Sequence, residues 1–259
     1  MKRLLTLLFL PLWLLSGTIS AQITSIASKA TDTLNQMDAQ GNKTGSWVET
    51  IGEITFRGTY VKNLKHGNWV GTYPNKIVSS IEAYNMGKKE GATIYIDKRG
   101  RITMSENYKN GLRHGFNIVY SQYNDGPATE TNYVNGKKNG FYRQFYENGK
   151  LQEESFYLDD KKDSISKFNN KDGHLVAEYH YKNGLFEGPQ KVFYATDTLQ
   201  SVMNYRNNEP DGLFRECFPN GKTKIEGNYS KGLQTGTWME YDESGKVTKV
   251  SKYKDGKLK

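Results

Sequence analysis

The sequence predicts an all-β chain: an elongated antiparallel meander of about nine β-hairpins forming a single-layer sheet. Three observations predict it. A tyrosine recurs at Tyr60, Tyr84, Tyr108, Tyr133, Tyr157, Tyr181, Tyr205, Tyr229 and Tyr253, with spacings of 24, 24, 25, 24, 24, 24, 24 and 24 residues. A fixed period of roughly 20–50 residues is the mark of a repeat array. Glycines keep the same register, and 20 of the 26 fall in three turn columns or their variants, so the glycine content is a schedule of turns. Between those columns lie short runs rich in aromatic and β-branched side chains, as at residues 140–146 and 151–157. Runs of this kind bounded by turn residues read as the two strands of a hairpin, and none is long enough for an ordinary helix.

In chain order, Lys2 and Arg3 precede an apolar run at residues 4–15, and small residues follow up to Ile19-Ser20-Ala21. That layout reads as a secretory signal peptide over residues 1–21. Twelve apolar residues rise only about 18 Å as a helix, short of the roughly 30 Å of a bilayer core. Gln22 stands where a lipoprotein signal needs a cysteine, and loss of Lys2 and Arg3 takes the net charge from +8 to +6. Residues 22–44 carry no repeat and read as an N-terminal linker or cap; residues 45–259 read as the hairpin array.

The pairing within a hairpin follows from its charges. If Tyr146 faces Leu151 across a four-residue turn, Arg143 faces Glu154, and the same offset sets Lys167 against Glu178 and Arg215 against Glu226. Opposite charges directly across a strand pair contribute about 0.2–1 kcal/mol each. The seventh repeat departs from the rule, with Lys191 against Val202. The register also gathers Tyr142, Tyr146, Leu151 and Tyr157 on one face, an aromatic ladder with Trp69 and Tyr73, and Phe214 and Phe218, as counterparts. In the sixth repeat Asp160, Ser164 and Asn169-Asn170 replace glycines and aromatics, which predicts a distorted hairpin or a bend. The one long repeat carries its insertion in Tyr123-Asn124-Asp125-Gly126, where a turn can lengthen without breaking a ladder. The rival architecture is a parallel β-helix with one coil per period, and it predicts no charge pairing across the turns.

The unit Tyr-x-x-Gly-x-x-x-Gly-x-aromatic, followed by an aromatic, Asn-Gly-Lys and a second strand, resembles the MORN repeat. Its best copies are residues 133–142 and 229–238. The bacterial variant in YwqK-type, antitoxin-like proteins looks closest, and the likeness covers about residues 38–259. It implies an antiparallel hairpin array used for binding or scaffolding, with no shared enzymatic chemistry.

The residues support no catalytic, cofactor or metal site. His66 and His114 share a turn column with Glu90, Asn139, Asp163 and Glu187, where a polar turn residue suffices. His174 and His180 lack the three or four converging ligands that a metal needs. Glu153 and Glu154 point to opposite faces of a strand, and Asp159-Asp160 sits in a turn. No nucleophile elbow or phosphate loop appears. Cys217 has no partner cysteine and reads as a small buried hydrophobe. Acids interleave with bases, which argues against a nucleic-acid partner.

The chain therefore reads as a non-enzymatic scaffold, exported to the periplasm, the outer envelope or the medium, that binds a protein. The candidate partner-binding aromatics are Trp69, Tyr73, Tyr142, Tyr146, Phe214, Phe218 and Trp238. The alternative is an envelope-surface module that contacts anionic lipid or glycan through Lys246, Lys249, Lys252, Lys254, Lys257 and Lys259, residues that also protect a sheet edge.

Overall fold

The computed structural model describes residues 33–259, and all of its regular structure is strand. The signal peptide expected at residues 1–21 lies outside the described residues. Of 21 strands, three have only two residues (Gln36–Met37, Leu112–Arg113 and Lys257–Leu258); the other 18 form nine hairpins. Each strand pairs antiparallel with its neighbours in chain order, from Lys43–Ile51 against Ile54–Val61 through to Leu233–Tyr241 against Val247–Lys254. The result is one open meander, so the parallel β-helix is ruled out. Pairing begins at Lys43, two residues ahead of Gly45. Gln36–Met37 lies along the outer edge of that first strand, and the Val48 N–H donates to Asn35 Oδ1 at 2.7 Å.

Two turn types alternate, one along each long rim of the sheet. Between hairpins the chain reverses in two residues, as at Asn110-Gly111 with φ of 54° and 82°. Positive φ at both central positions defines the type I′ turn, whose twist matches that of paired strands. Within hairpins the loop has three residues rather than the expected four, except in the first, which turns at Gly52-Glu53, and in the longer fourth. Tyr146 N–H donates to the Lys150 carbonyl at 2.8 Å, Gly149 N–H donates to the Tyr146 carbonyl at 2.9 Å, and Gly149 has φ of 80°. A left-handed third residue followed by a bulge is the next commonest hairpin closure. Leu151 consequently pairs with Phe145, and a register shift follows before Glu153 pairs with Gln144. That shift restores the predicted pairs: Arg143 with Glu154, Lys167 with Glu178, Arg215 with Glu226 and Lys191 with Val202.

The sixth repeat is regular, contrary to the expected distortion. Asp159 and Asp160 form its two-residue turn with φ of 48° and 67°, and Ser164 adopts φ of 60° where its counterparts have glycine. Asn, Asp and Ser accept this conformation at modest cost through local hydrogen bonding. The fourth repeat is the irregular one: its first strand is interrupted at His114, and the inserted residue sits in the loop at 121–126.

A single-layer sheet has no second layer to bury a core against. Burial here concentrates where the left-handed residue in the first strand of each hairpin creates a bulge. There the register shifts by two residues, as between Thr59–His66 and Arg57–Val70. Bulges bend a strand and sharpen its twist. At the two ends of the array the side chains brought together at this line are matched in size, a tryptophan against a glycine. Trp69, fully buried, lies against Gly58, where an added Cβ would be 2.3 Å from the ring; Trp238 lies against Gly227 at 2.2 Å by the same measure. In the middle of the array the same positions hold Ser155 and Ser166, whose hydroxyls are 2.7 Å apart. Trp47, Tyr60 and Trp69 form edge-to-face pairs at 5.6 and 4.9 Å, with Phe56 and Tyr84 packed around them.

Replacing Gly227 by Ala is expected to destabilise the C-terminal repeats by about 1–3 kcal/mol through overpacking. Gly149→Ala, at an open turn, lacks this clash and pays only for its positive φ. Thermal melts of the two variants check the difference, and equal shifts would refute the overpacking account.

Candidate binding faces

Strand alternation gives the sheet two faces with different chemistry. The front face carries the column tyrosines. Beside them runs a cation column that the aromatic pattern did not reveal: Lys43, Lys65, Lys89, Arg113, Lys138 and Lys162. From Lys65 onward each stands five residues after a column tyrosine. Each lies over aromatic rings: Lys65 is 4.1 Å from the Trp69 centroid, and Lys138 is 4.9 Å from Tyr142 and 5.0 Å from Tyr157. Cations over rings are worth about 0.5–2 kcal/mol according to desolvation. Most also meet a carboxylate, as in Lys89–Glu82 at 3.2 Å, Arg113–Glu106 at 2.7 Å and Lys162–Glu153 at 2.7 Å. Among the described residues Lys138 has ring partners but no ion pair. Beyond Lys162 the column turns neutral, with Phe186, Pro210 and Gln234, and Phe186 packs on Tyr179, Tyr181 and Tyr205.

The predicted aromatics divide into three groups. Trp69 and Trp238 are buried, which corrects their reading as exposed partner-binding residues: the bulge turns them onto Gly58 and Gly227. Tyr73 and Tyr146 open the three-residue loops, and their hydroxyls donate to the carbonyls of Ile96 at 3.0 Å and Asn169 at 2.8 Å in the next hairpin. Phe218 holds the same place without a hydroxyl. Tyr142 and Phe214 are half-buried on the front face; Tyr142 makes an edge contact with Tyr157 at 6.0 Å and Phe214 stacks on Trp238 at 5.6 Å.

The rear face carries a continuous row with one residue per strand. Its middle reads Glu130, Arg143, Glu154, Lys167, Glu178, Lys191, each directly opposite the next. Ion pairs close at 2.8 Å for Arg143–Glu154 and 2.9 Å for Lys191–Glu178. Hydrogen bonds from Lys191 and, beyond a burial penalty, from His180 hold the Glu178 carboxyl below its usual range.

Both rims are stitched from one repeat to the next. On the loop rim, Asn75, Asn148 and Asn220 donate their side-chain amides to the carbonyls of Lys98, Lys171 and Glu243. On the other rim, His66, Glu90, Asp163 and Glu187 accept the turn N–H of Met86, Asn110, Asn183 and Asn207, and His114 does the same for Asn135. These histidines thus have the turn role expected of them. The C-terminal lysines do not converge. Lys249 shares the front face with Tyr253 and pairs with Glu240 at 2.8 Å, whereas Lys252 and Lys254 point to the rear. Burial pushes the Cys217 thiol up, away from the thiolate form. Among the described residues no group of three or more His, Cys, Asp or Glu side chains could hold a metal ion.

Burial also governs how the front face titrates. Burial alone would raise the Glu82 carboxyl, but Tyr84, Lys89 and Ser80 hold it below its ordinary value. The hydroxyls of Tyr60, Tyr84, Tyr108, Tyr142 and Tyr181 are all raised, with burial the leading cause. Tyr157 is pushed up to about 12 by burial and then by the Glu153 charge. An unfolded tyrosine ionises near pH 10. The native state therefore holds these protons more tightly; the stability they contribute is complete below about pH 10 and is lost as pH rises above it, through about 12 in the case of Tyr157. Tyrosinate absorbance is expected to show a class of tyrosines titrating late, coincident with loss of the β-sheet signal. Titration of all tyrosines near pH 10 in a still-folded chain would contradict the buried ladder.

The family comparison agrees with this geometry. Residues 138–159, 186–207, 210–231 and 234–255 each match the MORN repeat variant, and each covers one hairpin with its three-residue loop and ends in the two-residue turn that leads to the next. No curated protein matches the chain. MORN repeats are non-catalytic modules that bind proteins or membranes. The chain thus carries MORN repeats of the variant type in four of its nine hairpins, over residues 138–255, within an array that keeps one period.

Proposed function

We propose that the chain is an exported, non-enzymatic scaffold that binds a protein partner in the cell envelope or outside the cell. The observation that carries the reading is the front face, an open stripe of half-buried rings and cations repeated at a 24-residue pitch. Tyrosine and arginine are the residue types that concentrate binding energy in protein interfaces. Tyr142, Tyr146, Phe214 and Tyr73 remain the candidates for contact; Trp238 stacks against Phe214, and Trp69 is buried against Tyr60. The layout of residues 1–21 supports export.

Two measurements test the proposal. Cell fractionation is expected to place the chain outside the cytoplasm and to lose it from there when residues 2–21 are deleted; cytosolic retention of the full chain would favour an antitoxin-like role instead. Immobilised chain is expected to retain a protein from envelope fractions. Tyr142→Ala combined with Phe214→Ala is expected to weaken that binding at least tenfold, about 1.4 kcal/mol. Recovery of no partner at any salt concentration would overturn the scaffold reading. Retention of anionic vesicles, lost on replacing Lys252 and Lys254, would shift it to the lipid- or glycan-contacting alternative.

A further inference from the structure

The rear-face row has a symmetry that intrachain pairing does not require. It alternates strictly in sign over six strands, from Glu130 to Lys191, and an alternating row of even length is its own complement when reversed. Apolar residues stop it at both ends, Ile118 opposite Glu130 and Val202 opposite Lys191. At its centre Lys167 lies between Glu154 and Glu178, yet it is exposed and, among the described residues, makes no ion pair. The neighbouring row on the same face sets Phe141 opposite Phe156 and Ile165 opposite His180; Phe141 and Ile165 are 47% and 40% exposed.

We infer that the rear face is the seat of a second copy of this chain, related by a two-fold axis that lies in the interface, parallel to the strands, between Glu154 and Lys167. Rotation about that axis reverses the order of strands and keeps each row in place. Glu154 then faces the partner's Lys167, Arg143 faces the partner's Glu178, and Glu130 faces the partner's Lys191. Ile118 meets the partner's Val202, and Phe156 meets the partner's Ile165. Closed two-fold interfaces of this isologous kind dominate soluble oligomers. The matched region spans eight strands, about 38 Å by roughly 20 Å of strand, or on the order of 770 Å² per copy, close to the ~800 Å² of a standard interface. Two sheets packed face to face sit about 10 Å apart with their strands nearly aligned, which suits this axis. The alternation then acts as a register key, since a shift of one strand sets like charges against each other.

The row also supplies its own test. Lys167→Glu places two carboxylates against each other at both central positions of a homodimer, and Glu154→Lys places two ammonium groups there. In a mixed dimer of the two variants every facing pair is again opposite in sign. Sedimentation of the full chain at micromolar concentration is expected to give a dimer. Each variant alone is expected to dissociate at least tenfold more readily, and an equimolar mixture to sediment as a dimer again. Circular dichroism melts establish that the variants are folded, and Lys167→Ala serves in their place if either is not, with weakened association expected. A monomeric parent chain would overturn the inference. So would single variants that associate as strongly as the parent, or a folded mixture that stays monomeric.

Discussion

The structure depends on the packing of side chains at the bulge of each repeat. A sheet one layer thick exposes both faces to water, and a hairpin alone buries too little apolar surface to hold its shape. The left-handed residue in the first strand of each hairpin bends the strand, and it turns one side chain from each of two adjacent strands toward a common space. Where one is Trp69 or Trp238 the other is Gly58 or Gly227; where one is Ser166 the other is Ser155. The cation column then closes over the rings, which explains how rows of lysine and glutamate sit beside half-buried tyrosines.

Much of this was legible in the sequence. The tyrosine period located every hairpin, and the pairs Arg143–Glu154 and Arg215–Glu226 were correctly placed by counting across the loop. The counting succeeded despite a wrong loop length, because the register shift after Leu151 returns the strands to the same alignment. What failed had one physical source: periodicity reports which face a side chain takes, not how far a bulge folds that face inward. Trp69 and Trp238 therefore read as exposed, and the aromatic pattern left Lys65, Lys89 and Lys138 unmarked. The sixth repeat misled differently. Its aspartates and serine lack the look of glycine but reach the same positive φ.

The two faces divide the work that a repeat protein must do. The front face joins burial, ring contacts and charge, with cations over rings up to Lys162 and ring-on-ring contacts around Phe186 beyond it. The rear face is polar and alternating in its middle, and its pairs are half-exposed, where single ion pairs contribute little. A row of weak pairs is better suited to fixing alignment than to supplying stability.

The stitched rims have a mechanical consequence. Every substantial contact joins strands that are neighbours in the chain, and the Asn75, Asn148 and Asn220 amides bridge only to the next loop. Tension on the chain therefore loads one hairpin at a time, and each that yields would release about 80 Å of extended backbone, at roughly 3.4 Å for each of its 24 residues. Such an array behaves as an extensible tether, lengthening in even steps while the repeats further along keep their fold.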